Sequence, residues 1–244
     1  MRTAAPIRWS VVIPAYNEAT RLPRYLDDVV RYLEAQGESW QVIVVDDGST
    51  DDTAALVRDA ARVRPGVRLL SLGENRGKGA AVRAGMLAAQ GVYRLFADAD
   101  GATPIEELKR LDAAIGAGAD LAIGSRVLTE PGVAVVARPS RVLAGRVFNW
   151  LRDRLGLDGI ADSQCGFKLL RGHVADDLFA RLTTRGFGFD VELLLLARAS
   201  GYRITEVPVN WTDQPGSKVD VVKDGPRMLA QAIRARRRIG TPRR

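Results

Sequence analysis

Short apolar runs, rich in β-branched residues, alternate with longer amphipathic stretches along the first half of the chain. Five runs have the length of buried strands, and they cover residues 9–13, 41–45, 67–71, 92–97 and 121–125. Four stretches between them are typical of helices, and they cover residues 21–36, 53–64, 79 onward and 103–117. Strands that alternate with helices in this way predict an α/β fold, in which a mostly parallel sheet is flanked by helices on both faces.

Polar clusters stand directly after the carboxyl ends of several predicted strands. They are Tyr16 with Glu18, Asp46 with Asp47, Asp98 with Asp100, and Arg126. Open α/β sheets bind ligands at the edge formed by the carboxyl ends of their strands. One aspartate pair alone would indicate no more than a helix cap or a turn. Four clusters at one predicted edge instead predict a ligand site.

The run Asp98-Ala99-Asp100 is suited to a hard divalent cation, because Mg²⁺ prefers carboxylate and phosphate oxygens. An acidic edge would repel a bare diphosphate, so a metal ion would have to bridge the two, which predicts a nucleotide-diphosphate substrate. The glycine-rich turn at 73–79 lacks the spacing and the final Ser or Thr of a Walker loop. Two interpretations of that turn stay open, a flexible connection or a ligand contact before a helix N-terminus.

Composition and charge exclude other classes of protein. One cysteine and one histidine among 244 residues exclude a disulfide framework and any zinc site built from several thiolates. The net charge is +7, and residues 221–244 hold eight basic side chains and one acidic one, so the preceding residues are electrically balanced. We predict one domain over residues 1–220, followed by a basic amphipathic tail at 221–244. The balanced body disfavours a nucleic-acid-binding protein.

Seven motifs in order resemble the family 2 glycosyltransferases of the GT-A fold, and among them the dolichyl-phosphate β-glucosyltransferases. The motifs are IPAYNE at 13–18, VDDGS at 45–49, FADADGAT at 96–103, DSQCGFK at 162–168, FDVELL at 189–194, VNWTD at 209–213 and GSK at 216–218. The resemblance covers residues 8–235. It implies a Rossmann-like domain with a nucleotide-sugar half at about 8–126 and an acceptor half at about 127–220.

The resemblance also implies roles for individual residues. The nucleoside pocket would be lined by Pro14, Tyr16, Glu18 and Asp47, with Asp47 reading the base. The sugar-nucleotide and its Mg²⁺ or Mn²⁺ would contact Asp98, Ala99 and Asp100, with Asp98 and Asp100 as the metal ligands. The diphosphate or the acceptor phosphate would lie near Arg126, and the basic residues that handle phosphate would be Arg141, Lys168 and Lys218. Related mannosyl-transferring enzymes have Gln where Ala102 stands, which favours the glucosyl branch.

The implied reaction is an inverting transfer of glucose from UDP-glucose to a polyprenyl phosphate. A phosphate acceptor is already ionised at neutral pH, so no strong general base is needed. Two interpretations of Asp190 and Glu192 stay open: catalytic contact with a sugar hydroxyl, or charges at a helix N-terminus. The alternatives are a GDP-mannose-dependent transfer, a transferase with a soluble acceptor, and a non-catalytic sugar-nucleotide sensor.

A polyprenyl acceptor requires contact with a membrane, yet the longest apolar runs have only five residues, far fewer than a spanning helix needs. Residues 142–155 carry apolar side chains flanked by arginines, which is typical of either an interfacial helix or a helix packed on the sheet. Residues 228–239 are similar and more basic. We predict a peripheral enzyme on the cytoplasmic face of an anionic membrane surface, with a membrane-protein partner as an alternative anchor.

Overall fold

A computed structural model of the chain describes residues 6–136, 156–216 and 221–240, except for the side chains of residues 221–224. Three predictions fall outside these ranges. They are the phosphate contacts of Arg141 and of Lys218, and the amphipathic helix at 142–155.

The first half of the chain follows the predicted alternation of strands and helices. Its elements are β1 (Trp9–Ala15), α1 (Leu22–Ala35), β2 (Trp40–Asp46), α2 (Thr53–Val63), β3 (Val67–Ser71), α3 (Lys78–Ala88), β4 (Tyr93–Ala97), α4 (Leu108–Gly116) and β5 (Leu121–Ser125). The fourth helix begins later than expected. Pro104 is extended, and a 3-10 turn at Ile105–Glu107 precedes α4.

Within the described ranges, the second half adds four more strands and three more helices. Its elements are β6 (Val135–Val136), β7 (Phe167–Arg171), α5 (Gly172–Arg181), α6 (Phe189–Ala199), β8 (Ile204–Pro208), β9 (Trp211–Thr212) and α7 (Val221–Ile239). Strands β6 and β9 form a separate parallel pair. No helix in the described ranges combines the length and the apolar character needed to cross a membrane.

One seven-stranded sheet has the order β3-β2-β1-β4-β7-β5-β8. Neighbouring strands in this sheet are parallel, except that β7 runs antiparallel to both β4 and β5. The prediction of a mostly parallel sheet flanked by helices is therefore confirmed. Because β7 is reversed, it begins at the edge where β4 ends, and the amide of Asp98 donates to the carbonyl of Gly166 at 3.1 Å.

Side chains along the buried strands point alternately to the two faces of the sheet, so the core consists of two clusters. On β1, Val11 and Ile13 belong to one buried cluster, together with residues of α1 and α4. The intervening Val12 belongs to the other cluster, with Phe96 of β4 and residues of α3, α5 and α6. Side chains of successive strand residues point to opposite faces of the sheet. A strand that is covered on both faces therefore needs an uninterrupted apolar sequence, as the strands of parallel sheets have.

Helix α7 packs on the second of these clusters. Its Met228, Ala232 and Ala235 are buried, and the two alanines are members of the cluster that contains α6. Arginines of the same helix, Arg227, Arg234 and Arg237, are exposed. The segment that charge alone marks as a tail thus has an apolar face docked on the core and a basic face towards solvent.

Candidate active site

The loops after β1, β2, β4 and β5 meet at one edge of the sheet, as predicted. Asn17 and its neighbours bind the loop after β2, because the Asn17 side-chain oxygen accepts the amide of Thr50 at 2.8 Å and the Asn17 amide donates to Ser49 Oγ at 2.9 Å. The loop before β7 and the first turn of α6 join this edge from the second half of the chain.

Asp98 and Asp100 form an acidic turn at the end of β4. Both side chains are partly accessible, and the Asp98 carboxylate packs so closely on Gly166 that a side chain there would collide with it. Burial, followed by the neighbouring charge of Asp98, raises the pKa of Asp100. Ala99 between them is buried. Two carboxylates that repel each other at an accessible turn form a donor set that fits Mg²⁺ or Mn²⁺.

Metal binding here would depend on these two carboxylates and on oxygens brought by the substrate. Within the described ranges, no group of three or more His, Cys, Asp or Glu side chains could hold a metal ion. Mg²⁺ sites that use one or two carboxylates together with substrate phosphates are common in proteins. Asp98 and Asp100 are therefore the side chains that would hold the ion.

Lys78, at the start of α3, lies beside the acidic turn. Its Nζ is 2.6 Å from Asp98 Oδ1. Burial alone would lower the pKa of Lys78, but the charges of Asp98 and then Asp190 outweigh that effect and raise it. The ammonium therefore remains protonated beside Asp98.

Arg21 is a second cation at the acidic turn. Its Nη1 lies 3.6 Å from Asp100 Oδ2 and donates to the carbonyl of Pro215 at 3.2 Å. The other nitrogens of the guanidinium bind both carboxylate oxygens of Glu18, with Nε donating at 2.7 Å. Glu18, predicted to line the nucleoside pocket, is buried and fixes Arg21 against Asp100.

The predicted nucleoside contacts surround the same edge. Asp47 is buried, and its two carboxylate oxygens accept the amides of Arg76 at 2.8 Å and Gly77 at 2.9 Å. Burial raises the pKa of Asp47 despite those two hydrogen bonds. Its visible role is thus to hold the turn that leads into α3. Pro14 is half-buried at the end of β1, and Tyr16 is 36% exposed beside it.

Lys168 and Asp190 form a buried ion pair beneath the acidic turn. Lys168 is 0% exposed, and its Nζ lies 2.5 Å from Asp190 Oδ1 and donates to the carbonyl of Cys165 at 2.5 Å. Burial raises the pKa of Asp190, although Lys168 and Lys78 oppose the effect. In this arrangement neither group is exposed to a substrate, and each neutralises the other.

Glu192 faces away from this pair and holds a loop. Its carboxylate accepts the amides of Thr183 at 2.9 Å and Thr184 at 2.7 Å, and it also binds Arg238 of α7. Since Glu192 is 0% exposed and fully engaged, the structure gives it the task of organising residues 183–188. The two acids on the first turn of α6 therefore have different surroundings.

Arg126 is held on the other side of the acidic turn. Asp162 accepts its amide at 3.0 Å, its Nε at 2.6 Å and its Nη2 at 2.8 Å, and the guanidinium lies 5.5 Å from the ring centroid of Trp211. Burial alone would raise the pKa of Asp162, but the charge and hydrogen bonds of Arg126 hold it below its usual range. Nη1 of Arg126 is not used in these bonds to Asp162.

Sequence comparison identifies the class of enzyme. The profile of glycosyl transferase family 2 matches residues 10–179. This chain belongs to glycosyl transferase family 2. The matched range contains the acidic turn, Lys78 and the Arg126–Asp162 pair, which lie together in the structure.

Curated members of the family are similar to nearly the whole chain. The protein named dolichyl-phosphate beta-glucosyltransferase from Dictyostelium discoideum is 39% identical over 239 residues, which cover 93% of this chain and 73% of the relative. The human protein of the same name is 38% identical over 226 residues, which cover 86% of this chain and 69% of the relative. This family 2 chain thus aligns with about seven tenths of either relative.

Solved structures confirm the fold. Glucosyl-3-phosphoglycerate synthase from Mycobacterium tuberculosis, in complex with UDP, superposes with a TM-score of 0.70 at 22% identity over 97% of this chain and 82% of that chain. The same enzyme with Mn²⁺, UDP and glucosyl-3-phosphoglycerate gives a TM-score of 0.64 at 21% identity, over 94% and 78% of the two chains. At these identities the likeness shows the fold alone.

Three residues of this family 2 site were missed by the sequence analysis: Arg21, Lys78 and Asp162. Lys78 stands in the glycine-rich turn, which we interpreted either as a flexible connection or as a ligand contact through backbone amides, without a role for the lysine side chain. Arg21 follows Glu18 by three residues, and the turn before α1, in which the Arg21 amide donates to the Glu18 carbonyl at 3.0 Å, brings their side chains together. Asp162 lies in a quoted motif, but its pairing with Arg126 joins residues 36 positions apart, which no local pattern reveals.

Proposed function

We propose that this chain transfers glucose from UDP-glucose to a polyprenyl phosphate, with inversion at the anomeric carbon. The observation that carries the proposal is the acidic turn Asp98–Asp100 at the ligand-binding edge, with the cations Lys78 and Arg21 beside it. The relatives named dolichyl-phosphate beta-glucosyltransferase support both the donor sugar and the acceptor class.

The donor diphosphate would be bound at the acidic turn. Asp98 and Asp100 would hold a divalent cation, Mg²⁺ or Mn²⁺, which when bound offsets the charge of the departing diphosphate. Lys78 is fixed beside Asp98 and adds a permanent positive charge at this position. Arg21 adds a second, oriented by Glu18. Positive charges fixed in place before the reaction stabilise a developing negative charge without reorganisation.

The nucleoside would lie against the loops after β1 and β2. We assign its contacts to Pro14, Tyr16, Glu18 and Asp47, and those of the sugar to the backbone at Ala99. Tyr16 offers an exposed ring, and Asp47 is fixed by the two backbone amides that donate to its carboxylate. Glu18 also orients Arg21.

The acceptor phosphate would be oriented by Arg126, whose bidentate pairing with Asp162 fixes the plane of the guanidinium. We also assign phosphate contacts to Arg141 and Lys218. The nucleophile is an ionised phosphate oxygen, so a protein base is not required. We assign Asp190 and Lys168 to the site as a buried, mutually neutralised pair that supports the acidic turn from below without touching the substrate.

Attachment to a membrane would be peripheral. Exposed Arg227 and Arg234 on α7, with the basic residues that follow the helix, would bind the anionic cytoplasmic face of the membrane. We propose the same division of the chain as the sequence indicates, with the nucleotide-sugar half at 8–126, the acceptor half at 127–220 and the basic segment at 221–244. A membrane-protein partner remains an alternative means of attachment.

The test combines donor and acceptor in one experiment. Purified protein is given radiolabelled UDP-glucose or GDP-mannose, Mg²⁺ or Mn²⁺, and either a polyprenyl phosphate or the soluble acceptor 3-phosphoglycerate. We expect label from UDP-glucose to partition into organic solvent only with the polyprenyl phosphate, and Asp100→Asn to abolish it. Label transferred from GDP-mannose, or to the soluble acceptor alone, would overturn the proposed substrate pair.

A further inference from the structure

The start of α3, which carries Lys78, is packed directly under the loop at 183–188. The carbonyl of Arg185 accepts the amide of Ala80 in the first turn of α3 at 3.1 Å. A Cβ at Gly77 would lie 2.6 Å from that carbonyl oxygen, and one at Gly79 would lie 2.4 Å from the carbonyl oxygen of Thr184. The glycines on both sides of Lys78 are therefore required by close packing against this loop.

The loop at 183–188 is held in turn by two side chains of α7. Arg238 pairs with the buried Glu192, which accepts the amides of Thr183 and Thr184. Gln231 accepts the amide of Gly188 at 3.0 Å with its Oε1. One end of the loop is thus bound by α7 directly, through Gln231, and the other end is bound by Glu192 of α6, which pairs with Arg238.

A continuous set of contacts therefore joins α7 to the acidic turn. It runs from Arg238 and Gln231 through the loop at 183–188 to the first turn of α3. From there Lys78 reaches Asp98, with its Nζ 2.6 Å from Oδ1. Every step is a hydrogen bond, an ion pair or a backbone contact too close for a side chain. Displacing the loop would move the first turn of α3 and the lysine on it.

We infer that α7 is a positioning element of the donor site, and that Arg238 and Gln231 hold the loop at 183–188 so that Lys78 stays beside Asp98. The inference rests on the proposed function, since it assumes that a sugar-nucleotide diphosphate binds at Asp98. It gives the basic C-terminal helix a role besides membrane attachment. Arg238 acts through Glu192 and the loop, so it is a positioning residue and not a catalytic one.

The first experiment measures UDP binding with Mg²⁺ by calorimetry, which requires no lipid acceptor. Loss of a charge-assisted hydrogen bond that orients the loop predicts that Arg238→Ala weakens UDP binding about tenfold. Arg238→Lys, which retains the charge, should restore most of the affinity. Arg237→Ala is the matched control, because it removes the same charge from a neighbouring exposed position of α7.

A double-mutant cycle tests whether the effect passes through Lys78. In a Lys78→Ala background, Arg238→Ala should change UDP affinity by less than about twofold, because the positioned group is already absent. A tenfold effect that persists in that background would overturn the inference. So would equal affinities for Arg238→Ala and Arg237→Ala in an otherwise unmodified chain that binds UDP.

Hydrogen exchange supplies a readout that does not depend on the ligand. Arg238→Ala should speed exchange at the amides of Thr183, Thr184 and Ala80, whereas Arg237→Ala should leave them protected. Gln231→Ala, a milder change, serves if Arg238→Ala does not fold, and it should expose the amide of Gly188. Unchanged protection in all variants would overturn the inference. Failure of the unmodified chain to bind UDP would overturn the proposed function instead.

Discussion

The substitution Gly166→Ala tests whether the position of the Asp98 carboxylate governs catalysis. A Cβ at residue 166 would lie 2.2 Å from Asp98 Oδ2, about 0.8 Å inside the closest approach that Cβ atoms normally make. The backbone has little freedom to yield, because the carbonyl of Gly166 accepts the Asp98 amide between two central strands. We therefore expect the carboxylate to swing away, which would also break its contact with Lys78.

The magnitude follows from that displacement. A misplacement of about 1 Å in a reacting group costs about 100-fold in rate. Overpacking a core position costs about 1–3 kcal/mol, which for a chain of this size lowers the melting temperature by about 2–4 °C per kcal/mol. We therefore expect glucose transfer to fall about 100-fold while the protein remains folded at assay temperature.

The assay measures kcat/KM for UDP-glucose over a range of metal concentrations, alongside melting temperature. Gly116→Ala is the control, because a Cβ at the end of α4 meets open space and should leave both quantities unchanged. In an Asp98→Asn background, Gly166→Ala should cause little further loss. Transfer by Gly166→Ala within about twofold of the unmodified chain would refute the placement of Asp98 in the reaction.

Three further predictions concern the cations and the buried thiol. Lys78→Met should lower kcat/KM for the donor about 100-fold, whereas the control Lys109→Met, at an exposed position, should not. Equal kcat/KM for the two variants would contradict the role of the Lys78 charge in binding the diphosphate. Asp162→Asn should destabilise the fold by about 1.5–3 kcal/mol at pH 7, because the hydrogen bonds of Arg126 lose their charged acceptor. Because the pKa of Asp162 is lowered in the folded state, the difference in free energy of unfolding between the two proteins should be complete above about pH 4. It should disappear as the pH falls through the pKa of Asp162 in the folded protein, which acid unfolding curves would show. Burial raises the pKa of Cys165 to about 12, so iodoacetamide at pH 8 should alkylate it only after unfolding, and rapid labelling of the native chain would contradict its burial.

The fold of the first half could be predicted because its signals are local. The strands at 41–45 and 67–71 lie at or within one residue of β2 and β3, and strand length with β-branched composition is enough to find them. Strand β7 carries no such signal. Its sequence fits a parallel or an antiparallel strand equally well, and its direction is decided by pairing with β4 and β5.

The candidate site was predictable to the extent that it follows strand ends. Asp98, Asp100 and Arg126 lie where the rule for open sheets predicts them. The residues that form ion pairs with these side chains do not follow that rule. Asp162 lies before a strand and not after one, and Lys78 reaches Asp98 from a helix start. Such pairings depend on tertiary packing, so a local motif shows the residue without its partner.

The unbroken sheet has a mechanical consequence. Strand β7 joins β4 of the proposed donor half to β5, and β5 is paired with β8 of the proposed acceptor half. A ladder of backbone hydrogen bonds resists bending, so within the described residues the sheet itself offers no hinge between the two proposed halves. We therefore expect substitutions that alter opening or closing of the site to map to the loops at the strand ends and not to the strands.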